Sequence, residues 1–262
     1  MAITVSCVIP LYNHERYIRQ ALDSLYVQTV PPDQIVVVDD GSSDNSVAVV
    51  RQFQEELGLV IDLVQQSNHG AHVAIATGIE RSSADVIQIL NSDDVLMPRR
   101  FEVIKAVMES QPSVGLLLSA VDFIHEGDAE SGEEWYWRAL HYYTETRDLA
   151  AALIIGNFAV STSNLAFRRE VYSLVGPFRD FRYCHDLDWL LRFALAGLGW
   201  TFLPEPLLGY RRHGNNTISE SQKAVVQEEA SAVGDFREKL RGLGMHEWVS
   251  LRGALAQRGF LL

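Results

Sequence analysis

Short apolar runs alternate with helical patterns over residues 3–110 of the chain. The runs are continuous rather than interrupted by polar residues, as in strands that a parallel sheet buries on both faces. Between the runs, apolar residues recur at every third or fourth position, for example from Ile18 to Leu25, which predicts helices with one buried face. The predicted strands are Val5–Pro10, Ile35–Val38, Val60–Val64 and Val86–Leu90.

This alternation of strand and helix predicts a doubly wound α/β fold. Right-handed crossovers would place the carboxyl ends of the strands on one rim of the sheet, where open α/β folds bind their ligands. Asn13 is placed to cap the helix that follows the first strand. We expect binding chemistry where polar pairs follow the strand ends, at Tyr12-Asn13, Asp39-Asp40 and Asp93-Asp94.

The pattern after residue 110 is less regular. Residues 218–262 are mainly helical in pattern and carry mixed charges, without a clear chemical signal. The other elements predicted beyond residue 110 are two strands at Val114–Ser119 and Val121–Ile124, a helix at Asp186–Ala196 and a short strand at Leu207–Tyr210.

The composition is that of a globular protein, with 262 residues, 47% hydrophobic and 21% charged. A net charge of -12 argues against nucleic acid as a partner. The two cysteines, Cys7 and Cys184, indicate neither a disulfide framework nor a zinc site. We see no signal peptide and no apolar run that could span a membrane, so we expect a cytoplasmic setting.

Asp93 and Asp94 are adjacent carboxylates, which repel each other unless a positive charge lies beside them. A hard divalent cation that bridges to a diphosphate would supply that charge. The alternative is a solvated strand-to-helix turn, in which Asp is common. A second acidic strand end, at Asp39-Asp40, is hard to explain as another such turn and favours the cation site.

An aromatic stretch between residues 135 and 143 has two interpretations. Its rings could form the buried face of a helix, or they could offer a flat platform on which a sugar ring packs. The sequence leaves both open. Under the second interpretation, Trp135 and Trp137 would contact an acceptor.

Several motifs, taken in order, resemble those of the family 2 inverting glycosyltransferases. The resemblance covers residues 4–215 and implies the GT-A form of the α/β fold, with three layers around a central, mostly parallel sheet. It divides the chain into a nucleotide-binding half (1–110), an acceptor-binding half (111–215) and a helical extension (216–262). The motifs that carry it are Val5–Glu15, Leu22–Thr29, Val37–Asp44, Asn68–Gly70, Asn91–Asp94 and His185–Arg192.

The resemblance implies a nucleotide-sugar donor, most often a uridine diphosphate sugar, and transfer of a hexose or hexosamine to a saccharide or lipid-linked acceptor. It assigns Asp93 to the ribose or the metal, and Asp94 to a Mn²⁺ or Mg²⁺ ion. That cation would neutralise the charge of the departing diphosphate. The residues it assigns to the nucleoside are Pro10, Tyr12, Glu15, Asp39, Asp40 and Asn68.

The resemblance also makes Asp186 the general base for the acceptor hydroxyl. Asp186 would lie in the first turn of its helix, where the helix dipole favours the ionised carboxylate that a base needs. Asp188 is the rival candidate, but Arg192 follows it by four residues, so an ion pair is its simplest role. His185 stands where the family often has Glu, and we expect it to contact the acceptor.

Arg211, Arg212 and His213 close the last predicted strand. All three could reach a diphosphate. His213 could instead complete the metal shell, because a neutral imidazole suits manganese. A solvated basic turn is the third interpretation, and the sequence does not decide among them.

Two other functions stay open. A sugar nucleotidyltransferase would be expected to carry a glycine-rich, basic phosphate loop after the first strand, and Leu11–Arg16 contains no glycine. A catalytically inactive module would bind the nucleotide sugar without transferring it. Asn91, where the family often has Asp, makes metal dependence an expectation that needs testing.

The helical extension has no assigned partner. It is compatible with a homodimer contact, with a peripheral contact to a membrane surface, or with a cover over the sheet, and its mixed charges favour none of these. A lipid-linked acceptor would place the protein at the inner face of the membrane.

Overall fold

One curled sheet organises the molecule, and a computed structural model describes it over residues 2–126, 132–214 and 216–242. Within these residues, eight strands pair in the order β3-β2-β1-β4-β7-β6-β8-β5. The strands are β1 (Val5–Leu11), β2 (Gln34–Asp39), β3 (Asp62–Gln65), β4 (Val86–Ile89), β5 (Val95–Leu96), β6 (Leu116–His125), β7 (Ala166–Arg168) and β8 (Trp200–Arg212).

The first four strands of that order are parallel to one another. β7 lies antiparallel between β4 and β6 and so joins the two halves of the chain in one sheet. β8 continues beside β6 in parallel, with register shifts near Ala120, and β5 pairs with β8 in the antiparallel sense. The predicted α/β fold with a mostly parallel sheet is confirmed.

Helices cover both faces of the sheet, as the side chains of β2 illustrate. Val36 and Val38 pack with Ala74, whereas Val37 joins the main core cluster on the other face. The helices over the described residues are α1 (Ile18–Tyr26), α2 (Ser46–Leu57), α3 (Ala71–Arg81), α4 (Arg100–Ser110), α5 (Glu134–Thr146), α6 (Leu149–Ile155), α7 (Arg169–Val175), α8 (His185–Leu195) and α9 (Gln222–Gly242).

The sequence prediction is wrong at three places. Asn13 does not cap α1, which begins only at Ile18; it lies at φ 51°, and its Oδ1 accepts a 2.7 Å hydrogen bond from the N–H of Ser43. The two strands expected between residues 114 and 124 are one continuous strand, β6. The short strand expected at 207–210 is part of the much longer β8, because pairing with β6 extends it in both directions.

α9 is the described part of the predicted helical extension, and the rest of that extension, residues 243–262, lies outside the described residues. The buried residues of α9 lie on one face, which packs toward α8. None of the helices in the described part of the chain is both long and apolar enough to cross a membrane.

Candidate active site

The carboxyl ends of β1 and β2 lie side by side on one rim of the sheet, as predicted. The register pairs Leu11 with Asp39, and the N–H of Asp40 donates to the carbonyl of Leu11 at 2.8 Å. β4 runs parallel to β1 on its other side, so the chain that follows β4 reaches the same rim. Two acidic strand ends, one after β2 and one after β4, therefore meet at one edge.

Asp39 and Asp40 are both buried, but they have different partners. Asp39 Oδ1 accepts one hydrogen bond, from the N–H of Ser42 at 3.2 Å. Asp40 holds the next loop, because its carboxylate accepts the N–H groups of His69 and Gly70 at 2.9 and 2.8 Å. The exposed Asn68 lies in that loop, so Asp40 acts on the rim through the backbone it fixes.

The loop after β1 is tied to the loop after β2. Glu15 Oε2 accepts both the backbone N–H and the side-chain amide of Asn45, at 2.9 and 2.8 Å. Pro10 is partly buried within β1, and Tyr12, just beyond the strand, is 47% exposed. Tyr12 is therefore the more accessible of the two, and Glu15 braces the surrounding loops.

Asp93 faces a histidine from the end of the second half of the chain. Its Oδ2 lies 3.1 Å from Nε2 of His213, and the Asp93 side chain keeps 13% of its surface exposed. The His213 ring stacks on Tyr17 with centroids 4.4 Å apart, which fixes its plane. A second histidine, His14, is close by: its Nδ1 lies 2.7 Å from the Ser92 hydroxyl.

The donor set at Asp93 fits a divalent cation that a substrate helps to bind. One carboxylate and one imidazole meet there, and no group of three or more His, Cys, Asp or Glu able to hold a metal occurs in the described part of the chain. Magnesium sites often have one or two protein ligands and fill the remaining positions with substrate phosphates and water. The residues thus fit a cation shared with a diphosphate.

Asp94 turns in the opposite direction, into the protein. It has no exposed surface, and its Oδ2 accepts the hydroxyls of Ser163 and Ser161 at 2.6 and 3.3 Å. Its Oδ1 accepts the N–H of Arg211 at 2.9 Å. Burial, and next the charge of Asp93, raise the pKa of Asp94 well above its ordinary value. A buried carboxyl whose two oxygens are both engaged does not suit the metal-binding role expected for it.

Arg211 and Arg212 also have protein partners. Arg211 is buried, and its guanidinium donates to the Asp93 carbonyl at 2.8 Å and to Gln20 Oε1 at 2.6 Å. Arg212 pairs with Glu133 at 2.9 Å. These contacts make Arg211 a brace behind Asp93, and of the three candidates in this stretch only His213 faces the Asp93 carboxylate.

Asp186 lies in the first turn of α8 and is 7% exposed. Its Oδ2 accepts a 2.7 Å hydrogen bond from the side-chain amide of Asn157. Burial raises the pKa of Asp186, and the neighbouring His185 and the Asn157 hydrogen bond offset only part of that rise. The helix dipole was expected to favour the ionised form, but loss of water around the carboxylate outweighs it.

Tyr210, from β8, links the two carboxylate regions. Burial raises the pKa of its hydroxyl. The charges of Asp94, Asp93 and Asp186 raise it further, in that order of size. Both carboxylate regions therefore lie within electrostatic range of one buried hydroxyl group.

Asp188 forms the ion pair that its spacing predicts. Its Oδ2 accepts Nε of Arg192 at 2.9 Å, and its Oδ1 also accepts Arg179. The side chain is only 2% exposed and faces away from solvent. The structure therefore gives Asp188 a role in holding α8 and leaves Asp186 as the candidate base.

The acceptor-side aromatic residues divide between the two interpretations. Tyr136 is fully buried, and Trp135 packs against the core, with its ring 6.4 Å from that of Phe123. Trp137 is 59% exposed. His185 is partly buried, with its Nδ1 3.3 Å from the carbonyl of Phe181. The aromatic stretch is mainly core, and Trp137 is its exposed member.

Sequence reasoning missed four residues that shape the site. His14 and Tyr17 lie beside the Asp93–His213 pair. Asn157 donates to the carboxylate of Asp186, and the charge of that carboxylate raises the pKa of Tyr210. Their only sequence signal was polar or aromatic character next to recognised motifs. The partners they meet lie on other elements, so local pattern alone could not identify them.

Comparison with known proteins identifies the family of the chain. Residues 6–175 match the family model described as glycosyl transferase family 2. An uncharacterized glycosyltransferase of Nostoc sp. is 32% identical over 232 residues, which cover 87% of this chain and 70% of that protein. The amylovoran biosynthesis glycosyltransferase AmsE of Erwinia amylovora is 32% identical over 209 residues, covering 79% of this chain and 75% of AmsE.

Solved structures share the fold. Residues 1–349 of TarS from S. aureus, in complex with UDP-GlcNAc, superpose with a TM-score of 0.66 at 16% identity, covering 88% of this chain and 66% of that one. Glucosyl-3-phosphoglycerate synthase from Mycobacterium tuberculosis gives a TM-score of 0.61 at 18% identity, covering 88% and 80%. The chain spans 43% of a longer TarS structure. From the family match and these relatives, we conclude that the chain belongs to glycosyl transferase family 2 and is a glycosyltransferase.

Proposed function

We propose that this glycosyltransferase moves a hexose or hexosamine from a uridine diphosphate donor to a hydroxyl of a saccharide or lipid-linked saccharide, with inversion at the anomeric carbon. Family membership favours this reaction over the sugar nucleotidyltransferase considered from the sequence. The UDP-GlcNAc held by TarS supports a uridine nucleotide as the donor. AmsE, a glycosyltransferase of amylovoran biosynthesis, supports a saccharide acceptor.

The nucleoside would lie along the ends of β1 and β2. Tyr12 offers an exposed ring for stacking on the base, and Asp39 accepts a single protein hydrogen bond among the described residues, which leaves capacity for the base or ribose. Asn68 is exposed on the loop that Asp40 holds. Together these residues can bind a nucleoside without a basic phosphate loop.

The diphosphate would lie next to Asp93 and His213. A Mn²⁺ or Mg²⁺ ion bound there would neutralise the negative charge that develops on the leaving diphosphate. Asp93 and His213 would hold the ion, Tyr17 would keep the imidazole in its plane, and Arg211 would fix the backbone at Asp93. Asp94 supports this group from beneath through its serine and backbone partners.

Asp186 would act on the acceptor. Its ionised carboxylate takes the proton of the acceptor hydroxyl as that oxygen forms a bond to the anomeric carbon and the bond from that carbon to the diphosphate oxygen breaks. Attack opposite the leaving group inverts the centre. A pKa raised by burial makes the carboxylate a stronger base.

The observation that carries this proposal is the segment between α6 and β7, in which Asn157 contacts Asp186 while Ser161 and Ser163 contact Asp94. The charges of Asp93, on the donor side, and of Asp186, on the acceptor side, both raise the pKa of the Tyr210 hydroxyl. A sugar transferred between a departing diphosphate and an arriving hydroxyl needs these two groups on one side of the sheet.

A donor panel tests the proposal. The enzyme is incubated with Mn²⁺, a series of nucleotide sugars and simple saccharide acceptors, and proton NMR follows the anomeric signals from the first minutes. We expect transfer from a uridine donor and an initial product of opposite anomeric configuration. Retention of configuration would contradict the assignment of Asp186 as base, and Mn²⁺-dependent UDP binding without transfer to any acceptor would favour the inactive module.

A further inference from the structure

The C-terminal helix α9 forms hydrogen bonds with the backbone that leads into α8, the helix that carries the candidate base. Glu228 of α9 accepts three consecutive backbone N–H groups: Oε1 that of Arg182 at 2.9 Å, and Oε2 those of Tyr183 and Cys184 at 2.7 and 3.1 Å. Cys184 occupies the N-cap position, immediately before α8, and Asp186 is two residues further on. Two carboxylate oxygens thus hold the entrance to the first turn of α8.

The start of α8 is held by a side chain from outside the helix. The first N–H groups of any helix have no partner within the helix, and a side chain at the start usually accepts one of them. Here the N-cap residue, Cys184, makes no side-chain cap. A carboxylate near the helix start is also favoured by the helix dipole. Glu228, from a different helix and more than forty residues later in the chain, instead accepts the N–H of the N-cap residue Cys184 itself.

Two ion pairs keep α9 in place along the same loop. Arg182 donates to Glu220, just before α9, through Nε and Nη2 at 2.7 and 2.6 Å. Arg179 Nη1 pairs with Asp235 at 2.8 Å, and the same guanidinium contacts Asp188 of α8. Three acidic residues, Glu220, Glu228 and Asp235, therefore hold residues 179–184 against α9.

The buried apolar face of α9 holds Glu228 in a fixed position beside this loop. Val225, Val233, Phe236 and Leu240 are buried, and the last three join the main core. With that face packed, Glu228 has little freedom to follow the loop if the loop shifts.

We propose that Glu228 is a positioning residue for Asp186, so that the C-terminal helix takes part in catalysis by holding the base in place for the acceptor hydroxyl. The inference rests on the proposed role of Asp186. Asn157 orients the carboxylate from one side, and Glu228 fixes the backbone that carries it. Displacement of a catalytic group by about 1 Å can lower the rate on the order of 100-fold, so a loosened helix start is expected to affect turnover.

The test compares Glu228→Gln and Glu228→Ala with Glu238→Gln, a control that makes the same charge change at an exposed position of the same helix. Gln keeps the size of the side chain and one acceptor oxygen, whereas Ala removes both. Hydrogen exchange followed by NMR reads the amides of residues 182–184. Steady-state kinetics give kcat and the donor KM, and calorimetry gives the affinity for UDP with Mn²⁺.

We expect faster exchange at the three amides, kcat lower by about 10-fold for Gln and about 100-fold for Ala, and an unchanged UDP affinity. The control is expected to match the wild type. Faster exchange with an unchanged kcat in Glu228→Gln would overturn the inference, and so would an unchanged exchange rate. If Glu228→Ala fails to fold, the Glu228→Gln variant alone tests the inference. Failure of the base assignment itself is distinguished by Asp186→Asn, which would then remain active.

Discussion

Two buried carboxylates, Asp94 and Asp186, lie in the two halves of the site and differ in their partners. Asp94 accepts two serine hydroxyls and a backbone N–H that come from β8 and the segment before β7. Asp186 accepts one side-chain donor, the amide of Asn157, and the backbone N–H groups of Leu187 and of Asp186 itself. Burial raises the pKa of both. They resemble each other in charge, but Asp94 is fully enclosed, whereas Asp186 keeps 7% of its surface exposed.

The difference separates a supporting carboxylate from a reactive one. A carboxylate whose oxygens are already engaged holds strands and loops together, since removing it would leave buried donors unsatisfied. A carboxylate that keeps part of its surface exposed can meet a substrate and take a proton from it. Burial or a raised pKa alone would have selected both residues. The number of side-chain donors and the exposed surface, taken together, select Asp186.

The largest expected effect is on transfer by Asp186→Asn. The amide cannot take the proton of the acceptor, so we expect kcat to fall by about 1000-fold, within the range for general base catalysis. UDP affinity should not change, because the proposed nucleotide site lies in the other half of the site. Initial rates with a radiolabelled donor measure this, with the exposed Glu145→Gln as the charge-matched control.

Asp94→Ala should affect stability more than any substitution at Asp93. It leaves the hydroxyls of Ser161 and Ser163 and the N–H of Arg211 without their acceptor in a buried place. We expect the free energy of unfolding to fall by about 3 kcal/mol. Urea denaturation followed by circular dichroism gives this value. A loss as small as that of Asp93→Ala would show that Asp94 is not a supporting residue.

Asp93→Asn and His213→Ala should instead weaken cation binding. Each removes one of the two protein donors that face each other at 3.1 Å. We expect the Mn²⁺ affinity of the UDP complex to fall by about 30-fold, near 2 kcal/mol. Electron paramagnetic resonance of free Mn²⁺ measures it in the presence of UDP. Asp94→Asn, with the full Asp93–His213 pair intact, is the matched control and should bind Mn²⁺ almost normally.

The smallest effect concerns stability against pH. The pKa of Asp186 is higher in the folded protein than in the unfolded chain, so the folded state binds the proton more tightly. The free energy of unfolding therefore falls as pH rises from the ordinary carboxylate range through the raised pKa. Asn carries no such cost. Asp186→Asn should therefore be more stable than wild type at pH 8, by about 1.4 kcal/mol per unit of pKa rise, and the gain should vanish near pH 4. Thermal unfolding across this range measures the difference.

The donor half of the site was largely predictable from sequence, and the acceptor half much less so. Continuous apolar runs followed by Asp39-Asp40 and Asp93-Asp94 define strands and their common rim through local pattern alone. Which way Asp94 turns depends on Ser163, which is distant in sequence, and no local pattern shows it.

The same limit applies around Asp186. Its position in the first turn of a helix was predictable, but Asn157 comes from a different segment and Glu228 from a helix that follows much later. The expected effect of the helix dipole on its pKa was wrong because burial, which depends on the whole packed structure, dominates. Long-range packing decides which of several plausible carboxylates is free to react.

The pH dependence of kcat/KM for transfer tests the central claim most directly, because it reports the ionisation of the free enzyme. We predict that wild-type activity falls on the acid side with a single ionisation above the ordinary carboxylate range, and that the residual activity of Asp186→Asn lacks this fall. Asp186 is faced by His185 on its own helix and by Tyr210 from β8, so the profile should be repeated in the His185→Gln and Tyr210→Phe variants, where the acid limb should remain. An acid limb that persists unchanged in Asp186→Asn would contradict the account.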